Sequence, residues 1–247
     1  MSELHPATRG FAAADVYERG RPGYPAAAVE AIVERLDLRP GRAALDLAAG
    51  TGKLTRLLVP SGVSLVAVEP IAEMRAELER RVAGVAVLAG TAEAIPLDDG
   101  SVDAVTVASA FHWFDAERAL REIRRVLRRG GGLALVWNAR DERHPLQVEL
   151  SAIIGPLREG GTPDRRSRNW KTLLAEAGIF ERTERLLFPQ VQQVDEQAVV
   201  DRVLSISFVA ASPPDVRADV ERRVRAVAAG ATELPYMTEL YLGLGVG

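Results

Sequence analysis

The residues of this chain best suited to holding a small charged molecule are crowded into one stretch, Leu45-Asp46-Leu47-Ala48-Ala49-Gly50-Thr51-Gly52. A carboxylate followed at once by small residues and glycines lets a turn of backbone come close to a ligand, because glycine adopts conformations other residues avoid. Three chemistries compete for this stretch. A phosphate-cradling P-loop needs a glycine five positions before Gly52 and a Ser or Thr after Lys53. Leu47 and Leu54 stand there, so that reading fails twice despite the Gly50-Thr51-Gly52-Lys53 run. A dinucleotide fingerprint needs a third glycine three positions after Gly52, and Thr55 in that place weakens it. The third pattern, an acidic residue at a strand end followed by a small-residue turn, fits the whole stretch.

Further residues follow in order. Glu69 lies 17 residues after Gly52 at the end of an apolar run and is followed by Pro70. A carboxylate there can accept both hydroxyls of a ribose, as in dinucleotide sites. Gly90-Thr91-Ala92-Glu93 comes next, where the edge of an adenine would lie. Then comes Ala108-Ser109-Ala110-Phe111-His112-Trp113-Phe114-Asp115. His112 is placed either to orient or deprotonate an acceptor or to make a structural hydrogen bond, and the sequence leaves both open. Trp113 and Phe114 could wall a reaction pocket or pack under the next helix. His5 and His144 read as solvated, and no Asp/Asp/His set at ligand spacing is evident, so no metal is expected.

These residues need elements to position them. Val29, Ile32, Val33 and Leu36 recur at helical spacing over Pro25–Leu38. Apolar runs at Ala43–Ala48, Val63–Val68, Val85–Ala89, Asp103–Ala108 and Leu133–Trp137 read as strands. Lys53–Val59 and Ile71–Val82 read as helices, the latter with Met74 and Leu78 inward. Asp115 reads as an N-cap, opening a helix with Ala119, Leu120, Ile123, Val126 and Leu127 on one face and ended by Gly130-Gly131-Gly132. Strands this continuously apolar belong to parallel sheets covered on both faces. Beyond Asn138 the pattern weakens: helices are expected over Thr172–Ala177, Asp195–Phe208 and Pro213–Ala229, and strands over Glu184–Val191 and Leu234–Leu244.

Composition narrows the classes. The chain has no cysteine, which excludes disulfides, Cys-based zinc sites and thiol nucleophiles. A net charge of −3 speaks against a large nucleic-acid footprint. No run approaches a membrane span and the N-terminus does not read as a signal peptide, so a cytoplasmic protein is expected.

The ordered motifs resemble the class I S-adenosylmethionine-dependent methyltransferases, and within them the small-molecule group that includes trans-aconitate methyltransferase. The residues that carry the likeness are Asp46 to Gly52, Val68-Glu69-Pro70 with Met74, Thr91-Ala92-Glu93, Phe111-His112-Trp113-Phe114, Arg125 to Gly131, and the opening Tyr17 to Pro25. It covers about residues 11 to 140 well, and Ala48 departs from the glycine many relatives carry. The resemblance implies an α/β fold, a Rossmann-like doubly wound sheet of seven strands with the last antiparallel and helical insertions in the C-terminal half. It implies one domain over 1–247, with a lid or arm at 1–24, a cofactor-binding core at 41–140 and a cap at 141–247. The implied cofactor is S-adenosyl-L-methionine, with candidate contacts at Tyr17, Arg21, Asp46, Ala48, Gly50, Thr51, Glu69, Pro70, Met74, Thr91, Ala92, Glu93 and Ser109. His112 and Trp113 are the candidate catalytic residues.

The implied reaction carries an activated methyl group to a small-molecule acceptor, with oxygen or carboxyl methylation favoured. Alignment of the reactants can supply roughly 7–11 kcal/mol. A general base adds about 10²–10⁴-fold only if the acceptor must lose a proton. Nucleic acid is disfavoured as acceptor, since the loop lacks an Asn/Asp-Pro-Pro-Tyr run and the chain lacks cysteine. An inactive cofactor-binding regulatory protein and an NAD-dependent oxidoreductase remain as alternatives.

Overall fold

The computed structural model describes residues 18–158 and 168–247. In chain order the elements are α1 (Ala26–Arg35), β1 (Ala43–Leu47), α2 (Thr55–Leu58), β2 (Ser64–Val68), α3 (Ala72–Arg81), β3 (Ala86–Leu88), β4 (Val102–Ala108), α4 (Ala116–Val126), β5 (Leu127–Arg140), α5 (Pro145–Ile154), α6 (Trp170–Glu176), β6 (Phe180–Gln193), α7 (Glu196–Leu204), α8 (Ser207–Ala210), α9 (Pro214–Ala228) and β7 (Glu233–Val246). The seven strands form one sheet in the order β3-β2-β1-β4-β5-β7-β6. The pairs β1·β2, β1·β4, β2·β3 and β4·β5 are parallel, and the last strand is antiparallel. Strand order reverses between β1 and β4. In open α/β sheets that reversal opens a crevice at the carboxyl ends of the strands, where ligands bind.

The chain divides into two compact units. Of the described residues, one holds 24–137, 168–188 and 238–247, and the other holds 18–23, 138–158 and 189–237. In the first unit the sheet is buried on both faces, and the period of two along each strand shows how. Leu45 and Leu47 of β1, Val105 and Val107 of β4, and Leu133, Leu135 and Trp137 of β5 point into one cluster with Ile123, Val126 and Trp170. Ala44, Ala104, Ala134 and Val136 point into the other, with Ile32, Leu54 and Leu58. The second unit has its own core, in which Leu150 and Ile153 of α5, Val199 and Val203 of α7, Val220 and Val224 of α9, and Tyr236 are buried together.

Several boundaries differ from the sequence reading for identifiable reasons. The helix after Asp115 stops at Val126, and Leu127 is already extended. The Gly130–Gly132 run therefore does not end a helix but lies within β5, where the β4·β5 register shifts between Val102 and Ala104. A Cβ on Gly131 would stand 2.7 Å from the Asp103 carbonyl oxygen, so glycine is what lets this irregular strand start close on its neighbour. The helix expected over Asp195–Phe208 is two pieces, broken at Ser205 and Ile206. The sequence pattern does not mark the helix α5, and β6 begins at Phe180, earlier than its alternating stretch suggests.

Candidate active site

Asp46 is the fourth residue of β1 and is wholly buried. Its carboxylate accepts from the Thr55 hydroxyl (2.6 Å) at the start of α2 and from the Thr106 hydroxyl (2.9 Å) of β4, Thr106 being its register partner across the parallel pair. Burial drives its pKa from 3.8 up to about 6 against the pull of these hydroxyls. Asp46 is thus a strut under the turn that follows it. Thr55, the residue that weakened the dinucleotide reading, is what holds it.

Above this strut the backbone is unusual. Ala48 has φ 55° and Ser109 has φ 56°. They are the residues just beyond β1 and β4, the strands that flank the reversal of order. A non-glycine residue in the left-handed region costs about 1–2 kcal/mol, and such strain gathers at ligand clamps. Gly50 and Gly52 are also left-handed, at φ 58° and 82°. A Cβ on Gly52 would press to 3.0 Å from Leu78 and Val82, whereas one on Gly50 would meet nothing within 4 Å. Gly52 serves packing, and Gly50 presents bare backbone to a space a side chain would fill. Thr51 between them is buried.

Glu69 follows β2 directly and is 4% exposed. One carboxylate oxygen accepts the Gly50 N–H (2.9 Å) and the other the Ile71 N–H (2.9 Å). Burial raises its pKa, while those two amides pull it down. Each oxygen keeps further lone-pair capacity, so the bridge is compatible with a vicinal diol as a second partner. Arg75 reinforces the turn by donating to the carbonyls of Glu69 and Pro70, both at 2.8 Å. Met74 is buried in α3.

After β3, Thr91 forms an isolated bridge with Ala94, and Ala92 is buried in the core. The Glu93 carboxylate accepts the Asp115 N–H (3.0 Å) at the mouth of α4. The next residues are clamped by α4: Glu122 accepts from the Ile95 N–H, and Arg125 donates to the carbonyls of Ile95 and Leu97.

After β4, Ser109 has its hydroxyl 3.2 Å from that of Tyr24. A 3₁₀ turn over Phe111–Trp113 then presents His112, whose Nδ1 accepts the indole N–H of Trp137 at 3.3 Å. Trp137 is held by its stack on Trp170 (centroids 5.1 Å apart) and its edge contact with Tyr241 (6.0 Å). Trp113 lies beside His112, ring centroids 5.1 Å apart, and Phe114 packs on Phe111 at 5.3 Å.

In the second unit, residues 18–23 pack on α7. Arg19 pairs with Asp201 (3.0 Å), and a Cβ on Gly20 would stand 2.4 Å from the Asp201 carbonyl oxygen. Arg21, expected to meet a ligand carboxylate, donates to the Ser205 carbonyl (3.1 Å). Tyr17 lies outside the described residues. The structure therefore gathers Ala48, Gly50, Glu69, Ser109 and His112 around carboxyl-end loops of one unit, and places Arg21 in the other. Among the described residues no helix is long and apolar enough to cross a membrane, and no group of three or more His, Cys, Asp or Glu side chains could hold a metal.

This switch-point site defines a Rossmann-like enzyme that binds a nucleoside-type cofactor, and comparison with known proteins narrows it. Residues 45–135, which run from β1 into β5, match the family described as a methyltransferase domain. An uncharacterized methyltransferase of Mycobacterium tuberculosis strain H37Rv is 43% identical over 234 residues, covering 92% of this chain and 91% of its own. Among solved structures, a candidate type II methyltransferase from Anaeromyxobacter dehalogenans aligns with a TM-score of 0.65 at 25% identity, over 92% of this chain and 97% of that one. A SAM-dependent methyltransferase from Aquifex aeolicus shares the fold with a TM-score of 0.55 at 18% identity, over 98% and 100%. The chain belongs to the class I S-adenosylmethionine-dependent methyltransferases, and S-adenosyl-L-methionine is its cofactor.

Proposed function

We propose that the enzyme methylates a small-molecule acceptor on oxygen, with a carboxylate as the favoured acceptor group. In this reading Glu69 takes the cofactor's ribose hydroxyls, the bare backbone of Ala48–Gly50 faces its methionine part, and Thr91–Glu93 lies along its adenine. Asp46 acts through the turn it supports. The cofactor supplies a methyl group on a positively charged sulfur, ready for in-line displacement. The chain's own work is to align the acceptor, exclude water and hold hydrogen bonds at the acceptor's oxygen.

The observation that carries the acceptor assignment is the hydrogen bond from Trp137 to His112. An indole N–H can only donate, so Nδ1 of His112 is the accepting, unprotonated nitrogen. The proton of the neutral ring then sits on Nε2. In this tautomer both ring nitrogens are committed: Nδ1 receives a proton donor and Nε2 is itself a donor. His112 is thus set to donate to an acceptor oxygen, not to withdraw a proton. A carboxylate acceptor fits, because it is already ionised near neutral pH and needs no base. Trp113 beside the imidazole supplies an apolar wall.

The test is a methyl-transfer assay over a panel of small carboxylic acids and phenols. Gln at position 112 can donate through an amide near the place of Nε2 but cannot act as a base. His112→Gln is expected to retain most turnover on carboxylic acids, and His112→Ala to lose about 10–100-fold, the equivalent of one hydrogen bond to a charged group. Equal loss in both variants, with phenols as the better substrates, would overturn the donor role.

A further inference from the structure

Arg75 stands where a helix does not welcome a cation. It is the fourth residue of α3, and the partial positive charge of a helix N-terminus opposes a basic side chain in the first turn. The other basic residues near it on that helix, Arg80 and Arg81, lie in the last turn and pair with Glu77. Among the described residues Arg75 makes no close ion pair of that kind. Its guanidinium is spent on backbone instead: one nitrogen, Nη1, donates to the carbonyls of Glu69 and of Pro70, both at 2.8 Å.

Those two carbonyls control the aim of the Glu69 carboxylate. The peptide bond between Pro70 and Ile71 is trans, so the Pro70 carbonyl and the Ile71 N–H share one plane and point in opposite directions. Holding the carbonyl therefore aims the N–H, and that N–H donates to one oxygen of Glu69 at 2.9 Å. The other oxygen is held by the Gly50 N–H, also at 2.9 Å. The same guanidinium acts on the charge of the carboxylate. Burial and the nearby Asp46 favour the protonated form of Glu69, and Arg75 favours the ionised one. Only the ionised form leaves both oxygens as pure acceptors, which is what the two hydroxyls of a ribose require.

We propose that Arg75 is a positioning residue for the cofactor: by gripping the Glu69 and Pro70 carbonyls it fixes the turn that aims the Glu69 carboxylate at the ribose. This rests on the reading above that Glu69 takes the ribose hydroxyls. Arg75 itself acts through Glu69, from the outer side of the turn. Its positive charge also keeps Glu69 ionised to lower pH than burial alone would allow, so it sets the acid limit of cofactor binding.

Calorimetry of S-adenosylhomocysteine binding to the full-length protein, from about pH 5 to about pH 8.5, tests this. Wild-type affinity is expected to fall in acid as Glu69 takes up its proton. Asp46 titrates at about 6 in every variant, so the differences between variants isolate Glu69. Arg75→Met is expected to begin its fall about one pH unit higher, and within that interval to bind about ten-fold more weakly. Arg75→Lys is expected to restore the wild-type profile, because it returns the charge to the turn. Arg75→Gln, which keeps a donor without the charge, is expected to follow Arg75→Met and carries the test if that variant does not melt cooperatively. A loss that is equal at every pH and not recovered by Arg75→Lys marks packing alone and overturns the proposal. Glu69→Gln separates the two claims, and is expected to bind weakly without the acid fall. If it binds as wild type does, the ribose reading fails and the role of Arg75 falls with it. If it binds weakly while Arg75→Met and Arg75→Gln keep the wild-type affinity and profile, the role of Arg75 alone is overturned.

Discussion

Replacing Asp46 by Asn should stabilise the protein at neutral pH and leave it unchanged in acid. In the folded chain Asp46 is wholly buried and titrates near 6, against 3.8 for an exposed carboxyl, with burial the leading cause. Between those two values the folded state binds a proton that the unfolded state does not, so stability falls as pH rises through the window and the full cost is borne above about 6. That interval corresponds to about 3 kcal/mol. Asn removes the charge at nearly constant shape. The hydrogen bonds from Thr55 and Thr106 to the carboxylate are already contained in that net figure, because they oppose burial in setting the value near 6. The Thr106 hydroxyl can turn to accept from the new amide, because the Leu45 carbonyl lies within its reach at 3.5 Å. A gain of up to about 3 kcal/mol is expected at pH 7.5, a Tm rise of roughly 6–12 °C, shrinking toward zero by about pH 4. Thermal melts of both proteins from pH 4 to 8 measure it. A pH-independent difference, or a less stable Asn variant at pH 7.5, would refute the claim that Asp46 is a desolvated strut.

The left-handed Ala48 gives a second expectation: Ala48→Gly should relieve backbone strain and raise stability by up to about 1 kcal/mol, read by urea unfolding, with cofactor affinity kept. Trp137→Phe keeps the stack on Trp170 and deletes the donor to His112. The nitrogen chemical shifts of His112 should then move from a fixed Nε2–H tautomer to a mixture, and unchanged shifts would remove Trp137 from that role.

Much of the first unit could be read from the chain because its signals are local. Asp115 was expected to cap a helix and does so, accepting the Arg118 N–H at 3.2 Å, and Ala119, Leu120, Ile123 and Val126 share a buried face because they recur at helical spacing. Leu127 also fits that period, yet it is taken by the strand that must start beside Val102, a tertiary demand that periodicity does not carry. The helix Pro145–Ile154 is not legible in the chain because it buries a glutamine, Gln147, whose amide donates to the Pro235 carbonyl at 2.9 Å, and a buried polar residue blurs the apolar stripe. At the site, the Asp46 turn and Glu69 were legible because strand, small residues and carboxylate are consecutive. Thr106 and Trp137 were not, because each reaches its partner across neighbouring strands or turns. Arg75 reads as an ordinary solvated charge until the turn after β2 shows the two carbonyls it holds.

The central claim is that the chain holds S-adenosyl-L-methionine through Glu69 and the turn at Ala48–Gly52. Isothermal titration calorimetry of S-adenosylhomocysteine into wild type and Glu69→Ala tests it most directly. Wild type should bind. Glu69→Ala should bind about 100-fold or more weakly, because two hydrogen bonds to a charged carboxylate, each worth about 1.5–3 kcal/mol, are lost. Equal affinity in a Glu69→Ala variant whose melting remains cooperative would contradict the account.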